Sequence, residues 1–399
     1  MRLVKALLLE NIHPEAVRVL SSRGHEVELL PNALSEDELI EALDGVQFLG
    51  IRSRTHLTEA VFKARPGLAA VGAFCIGTNQ VDLPAAAAAG VPVFNAPYSN
   101  TRSVVELALG EIIAMARRLG DRSAGMHAGV WDKSAVGSHE VRGRTLGIVG
   151  YGNIGSQLSV LAEALGMRVY FYDVVDRLAL GNATRVDSME ELFATCETIS
   201  LHVDGRAANK HLIGAKEFAQ MRPRTLFLNL CRGNVVDIEA LAEVLRSGHI
   251  AGAAVDVFPT EPKSKEEPFV SPLQGIPNVL LTPHVGGSTQ EAQVDIGRYV
   301  AGKLADYEEF GNTSMCVNLP EVSVTAPRSE RILHLHHNVP GVMARLNQVL
   351  ARHNMNIGFQ TLATLGEHGY AVTDVGGEHF DGLLQELQGL EETIRVRVI

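Results

Sequence analysis

Cysteine is scarce in this chain: four in 399 residues, at Cys75, Cys196, Cys231 and Cys316, with no C-x-x-C pair. That spacing excludes a disulfide framework and a zinc knuckle. Trp131 is the single tryptophan, and aromatics make up 5% of the chain. No stretch approaches the roughly 18 apolar residues that a membrane-spanning helix needs. The opening segment, Met1 to Glu10, is too short and too soon interrupted by charge for a signal peptide, so the expected setting is cytoplasmic and reducing. Positive charge is the minority sign: 35 Lys and Arg against 46 Asp and Glu leave a formal charge of −11. That balance argues against general nucleic-acid binding, while local basic clusters remain able to hold a small anion. At 46% hydrophobic and 20% charged, the chain has the composition of a globular protein with a large core. Its length suits two or three domains.

What the chain does have is glycine in one telling arrangement. Gly150-Tyr151-Gly152-Asn153-Ile154-Gly155 follows a strand-like run, Thr145 to Val149, and opens a helix-like stretch from Ile154 to Leu165 that stops at Gly166. A second strand-like run, Arg168 to Tyr172, ends at Asp173. Glycines, helix and acid at these spacings form a βαβ unit of roughly 30 residues, as a dinucleotide site requires. Gly150 permits the tight turn, Gly152 the approach of a pyrophosphate and Gly155 close helix–strand packing, with the helix N-terminus facing the phosphates. Asp173 suits a free ribose hydroxyl and would repel a 2′-phosphate. No arginine follows it before Arg177, which favours NAD over NADP.

Up to about residue 100, strand-like runs (Lys5 to Leu9, Glu26 to Leu30, Phe48 to Ile51, Ala69 to Ala73, Val91 to Phe94) alternate with helix-like ones, the pattern of a parallel sheet. A long helix from Ser103 to Leu119, capped by Thr101 or Ser103, leads into a dinucleotide domain spanning 103–290. There, further strands are expected at Thr198 to His202, Leu226 to Leu230, Gly252 to Asp256 and Val279 to Leu281. A helix from Gln293 to Tyr307 returns to the first domain, making it discontinuous, 1–102 with 291–318. Gly311 to Ser314 and Pro320 to Pro327 read as linkers. Residues 329–399 follow a βαββαβ order, including a helix from Asp381 to Gln388, which is the ferredoxin-like unit. So small a core is expected to pair with a copy of itself.

Three polar residues stand where strands of the dinucleotide domain end: Arg232, Glu261 and His284. Oxidising a secondary alcohol needs a base, and histidine titrates near neutrality. A carboxylate on its other ring nitrogen fixes the tautomer and favours the imidazolium. Arginine holds an α-carboxylate through paired hydrogen bonds. In the first domain Arg52, Ser53 and Arg54 follow a strand, and guanidinium forks match phosphate oxygens. Asn79 is a further candidate substrate contact. His334, His336 and His337 share a strand, but no third ligand of suitable spacing accompanies them, so no metal is expected.

At these residues the chain resembles the D-isomer-specific 2-hydroxyacid dehydrogenases. The resemblance runs through Gly50 to Thr55, Phe74 to Leu83, Asn95 to Val104, the glycine loop, Cys231-Arg232-Gly233, Ala254 to Pro262 and Pro283 to Thr289. It implies Arg232 as carboxylate binder, His284 as general acid/base and Glu261 as its partner. It also implies NAD contacts at Gly150, Gly152, Asn153, Ile154, Gly155, Asp173, Leu230, Cys231, Arg232, Asp256, His284, Gly286 and Gly287. The implied α/β architecture is a flavodoxin-like substrate domain, a Rossmann-type NAD domain and a C-terminal ACT regulatory domain. The implied substrate is 3-phosphoglycerate, with 2-oxoglutarate reduction as a possible side activity. L-serine is the implied effector, at His336, Asn338 and Asn356 across a domain–domain interface, in a homotetramer. Trp131 resembles a subunit-contact residue, with a core tryptophan as the plain alternative. The rival readings are another 2-hydroxy acid (2-hydroxyglutarate, glycerate or lactate) as substrate, or a non-catalytic NAD-sensing protein.

Overall fold

The computed structural model describes residues 3–262, 266–327, 330–377 and 382–399. Met1, Ser329 and Asp381, which bound expected segments, lie outside the described residues. The chain divides into two compact units, Met1–Ser99 with Gln293–Ile399, and Asn100–Ala292.

In the first unit, strands β1 (Lys5–Leu8), β2 (Glu26–Leu29), β3 (Phe48–Ile51), β4 (Ala70–Ala73) and β5 (Val93–Asn95) pair in parallel, in the order β2-β1-β3-β4-β5. β3 and β4 are buried throughout, which is why they read as unbroken apolar runs rather than alternating ones. From β1 the chain moves to β2 on one side, then crosses back to β3 on the other. The crevice beyond the carboxyl ends of β1 and β3 is therefore the sheet's switch point, and Glu10 and Arg52 stand at it.

The second unit holds β6 (Thr145–Val149), β7 (Arg168–Tyr172), β8 (Thr184–Arg185), β9 (Thr198–Leu201), β10 (Thr225–Asn229), β11 (Ile250–Val255) and β12 (Val279–Leu281). They form one parallel sheet in the order β12-β11-β10-β9-β6-β7-β8, with its switch point between β6 and β9. The long helix runs Thr101–Arg117 with Asn100 at its N-cap, so Thr101 lies inside it rather than capping it. Arg118 then turns left-handed (φ 52°), and a separate helix, Leu119–His127, follows. Arg118 is held there by Asp121, three residues on, at 2.8 Å.

At the C-terminal end β13 (Glu330–His337), β14 (Asn356–Leu365), β15 (His368–Gly376) and β16 (Thr393–Val398) form an antiparallel sheet, order β14-β15-β13-β16. The helices Val342–Arg352 and Leu383–Gln388 bury Leu346, Val349, Leu350, Leu383 and Leu387 with Ile332, Ala371 and Val375 of the sheet. Leu333, Leu335, Tyr370 and Val372 of the sheet instead share a core with Phe94, Leu304 and Tyr307. Burial that the sequence suggested would come from a second copy thus comes partly from the chain's own first segment. Arg331, buried, bridges the Asp374 carboxylate with two nitrogens (2.5 and 2.9 Å) and donates to the carbonyls of Phe310 and Thr325.

The two expected linkers are not loose tethers. Thr313 Oγ1 donates to the Pro320 carbonyl and accepts from the Val322 N–H, both at 2.8 Å, and Leu319 and Val322 enter the core. Apolar residues between the prolines make this an anchored strap.

Candidate active site

The glycine loop lies at the second unit's switch point. Gly150 has φ 93°, and a Cβ there would stand 2.5 Å from the His202 carbonyl oxygen, which follows β9. A Cβ on Gly155 would meet the Gly150 oxygen at 2.2 Å. Only glycine permits this turn. Gly152 differs: it is the N-cap of the helix Asn153–Ala164, in extended conformation, and a Cβ there would meet nothing within 4 Å. The helix start therefore opens onto free space with no side chain capping it, a cradle that fits a pyrophosphate. Asn153 is exposed and Ile154 half-buried beside it. The Asp173 carboxylate accepts from the Tyr151 N–H at 2.7 Å and the Val175 N–H at 2.9 Å, which fixes it next to the loop. Arg177 stands 3.8 Å from it. The donor set suits NAD: free N–H groups for phosphates and an oriented carboxylate for a ribose.

The loops after β10, β11 and β12 carry the polar residues. After β10, Leu230 and Cys231 are buried, and burial pushes the Cys231 thiol up to about 11, so it is an inert wall. Arg232 donates to the Cys231 carbonyl at 2.6 Å, and its stem packs on Gly205. Gly233 admits the backbone of Phe258, whose carbonyl a Cβ would overlap at 2.0 Å, so the loops after β10 and β11 are locked together. Glu261, beyond β11, accepts from the Phe258 N–H at 3.1 Å with Oε1. Its Oε2 lies 2.9 Å from His284 Nδ1, leaving Nε2 for another partner.

His284 has φ 54°, a strained setting for a non-glycine residue, and Asp256 holds it there. The buried Asp256 carboxylate accepts from Thr282 Oγ1 at 2.6 Å and from the N–H groups of Val285 and Gly286, each at 2.8 Å. Gly287 lies against the Asn100 amide. The hydrogen bond that His284 donates to Glu261 raises the His284 pKa, against burial; the Glu261 and Asp256 charges add to the rise and Arg232 opposes it. Burial pushes the Glu261 carboxyl up, but His284, the Phe258 N–H and Arg232 outweigh it and hold it low. The second unit thus brings Arg232, Glu261 and His284 to neighbouring strand ends, and the electrostatics couple all three.

Sequence reasoning missed three residues here. Asn100, with a buried and unpartnered Oδ1, sits beside Gly287. Burial pushes His202 down to about 4, keeping the ring neutral, and its Nε2 lies 2.8 Å from Ser200 Oγ. Glu111 is buried with both oxygens unpartnered. An acid on the buried stripe of an apolar helix was the available signal for Glu111.

Arg52, Ser53 and Arg54 form the loop after β3 in the first unit, and Asn79 is exposed in the loop after β4. At the C-terminal sheet the expected effector residues do not converge within one chain. His336 pairs with Gly369, whereas Asn356 pairs with Gly376, so they lie at opposite ends of β15. At 3.3 Å per residue that is roughly 23 Å. Asn338 donates to the Gly366 carbonyl at 3.1 Å and is exposed, while His336 is buried with Nε2 unpartnered. His334 lies deeper; burial pushes it down to about 4. Trp131 is 79% exposed, which excludes the core alternative.

Residues 109–286 match the family model of the D-isomer specific 2-hydroxyacid dehydrogenase NAD-binding domain, and 332–395 match an AHAS small subunit-like ACT domain. A D-3-phosphoglycerate dehydrogenase of Haemophilus influenzae is 51% identical, covering 99% of this chain and 97% of the relative. One of Dictyostelium discoideum is 45% identical with the same coverage. Among solved structures, a D-2-hydroxyisocaproate dehydrogenase superposes with TM-score 0.71 at 26% identity, over 79% of this chain and 99% of that one. A D-lactate dehydrogenase with NAD+ from Lactobacillus jensenii gives 0.65 at 25% identity, over 75% and 97%. With its NAD-binding sheet, its strand-end residues and full-length relatives in agreement, this chain belongs to the D-isomer specific 2-hydroxyacid dehydrogenases, an NAD-dependent enzyme family, and carries an ACT domain at its C-terminal end.

Proposed function

We propose that the protein oxidises the C2 hydroxyl of 3-phospho-D-glycerate to give 3-phosphohydroxypyruvate, opening a route to L-serine. The observation that carries the chemistry is the His284–Glu261 contact at 2.9 Å on an NAD-binding sheet. The substrate rests on relatives of that name matching nearly the whole chain. NAD, when bound, supplies the hydride acceptor. Arg232 holds the substrate α-carboxylate, and His284 takes the hydroxyl proton at Nε2 while Glu261 stabilises the imidazolium through Nδ1. Arg52 and Arg54, with Ser53 and Asn79, receive the phosphate. 2-Oxoglutarate would be reduced as a side reaction, its second carboxylate in the phosphate position.

L-serine is the proposed effector, bound by His336 and Asn338 of one copy and Asn356 of another. The wide separation of these residues in one chain supports a site completed between copies. Exposed Ile357, Phe359 and Leu362 on edge strand β14, and exposed Met126, Val130, Trp131 and Val136, supply apolar surface for a homotetramer. No helix of the described residues is long and apolar enough to cross a membrane; the cytoplasm is the proposed location.

A steady-state assay with 3-phosphoglycerate and NAD, with and without L-serine, tests the reading. His284→Ala is expected to lose at least ~100-fold in kcat; an unchanged rate would remove the assigned base. Serine inhibition that survives both Asn338→Ala and Asn356→Ala would remove the effector site.

A further inference from the structure

Glu10 follows β1 at the first unit's switch point, with φ 62° and a side chain only 2% exposed. Its carboxylate is turned under the neighbouring loop. Oε1 accepts from the backbone N–H groups of Arg52 at 3.2 Å and Thr55 at 2.9 Å, and Oε2 accepts from that of Arg54 at 3.1 Å. Oε2 also lies 3.7 Å from Arg54 Nε. The same loop is held from its carbonyl side: Gln80, buried, donates from Nε2 to the Arg52 carbonyl. Three N–H groups within four residues thus converge on one internal anion, while one amide restrains the loop's first carbonyl.

An ionised carboxylate is acceptor-only on both oxygens, and its hydrogen bonds are about twice as strong as neutral ones. Glutamine at position 10 would keep the shape but present an NH2 group to at least one of these N–H donors. The left-handed backbone at Glu10, uncommon for a non-glycine residue, is a local cost that the three bonds offset. We propose that Glu10, assisted by Gln80, is the positioning residue that sets Arg52 and Arg54 for the substrate phosphate. By occupying the loop's inward N–H groups with its own charge, it leaves the phosphate to the guanidinium groups. The inference rests on reading Arg52 and Arg54 as the phosphate binders.

The test compares kcat/KM for 3-phosphoglycerate with kcat/KM for D-glycerate, which lacks the phosphate, using the full-length enzyme with NAD. Glu10→Gln is expected to lower the ratio of the two about tenfold, with the loss in KM for 3-phosphoglycerate and little change in kcat. Gln80→Ala is expected to lower it about threefold, and it keeps the question answerable if the Glu10 variant does not fold. Arg52→Ala with Arg54→Ala is expected to lower the ratio about a hundredfold. If Glu10→Gln and Gln80→Ala leave the ratio at its parent value while the arginine pair lowers it, the positioning role is overturned alone. If the arginine pair also leaves the ratio unchanged, the phosphate reading is overturned and the positioning role falls with it.

Discussion

Each of the two parallel sheets has a switch point between neighbouring strands, and the chain treats the two crevices in opposite ways. Between β6 and β9 it clears the crevice: Gly150 and Gly155 bring backbone against backbone, and Gly152 leaves the helix start open. Between β1 and β3 it fills the crevice with the Glu10 carboxylate, which three backbone N–H groups of the 52–55 loop answer. Backbone donors at an α/β switch point attract an anion in either case. The difference is whether the anion is the ligand or part of the protein. Where glycine leaves the donors exposed, a dinucleotide phosphate can reach them. Where a glutamate claims them, ligand recognition passes to side chains, here Arg52 and Arg54.

Placing a carboxylate in the open crevice breaks the contrast most severely. Gly152→Asp has room for its side chain, so the variant is expected to fold. Its charge beside a pyrophosphate should weaken NADH binding roughly 1000-fold, by Coulomb's law with an effective dielectric of about 20. Dinucleotide fluorescence titration would measure it, and parent-like affinity would mean the phosphates lie elsewhere. A subtler contrast lies within the second unit. Asp256 answers backbone donors, whereas Glu261 answers an imidazole that titrates. Glu261→Gln should cost roughly 100-fold in kcat/KM. Because Glu261 raises the His284 pKa, its loss lowers that pKa, so the acid limb of the oxidation profile moves to lower pH. An acid limb that stays in place would separate Glu261 from the base. In the filled crevice, Glu10→Ala orphans three N–H groups and should destabilise the fold by about 2 kcal/mol, read by denaturant unfolding.

The open crevice was legible in the sequence and the filled one was not. Gly150 to Gly155 between a strand and a helix is a local pattern, and β6, β7 and β12 fall at their expected residues because short apolar runs bounded by turns mark them. Arg232, Glu261 and His284 could be singled out because each lies in the loop that follows a strand. Glu10 also follows one, but its partners lie 42 to 45 residues away, and nothing local announces them. The same reason hides the Arg331–Asp374 pair, 43 residues apart. The short helices Glu36–Ala42, Glu59–Ala64 and Met189–Thr195 were missed because two turns carry too little periodicity to stand out.

The second unit also buries a glutamate, and it completes the comparison with Glu10. Glu111 lies on the core side of the helix Thr101–Arg117 with no hydrogen-bond partner for either oxygen. Burial, with the Asp256 charge adding to it, pushes its acid from 4.5 up to about 8. The folded protein therefore holds this proton more tightly than the unfolded chain does. Below pH 4.5 both states are protonated and Glu111 costs nothing through this linkage. Between pH 4.5 and about 8 the unfolded chain releases the proton first, so stability falls as pH rises across that window. Glu111→Gln removes the ionisation and keeps the shape. It should stabilise the second unit by about 2 kcal/mol more at pH 8 than at pH 6, about 4–8 °C in Tm for a unit of this size. A gain independent of pH would mean that Glu111 stays paired and ionised in solution, and that both units satisfy their buried glutamates alike.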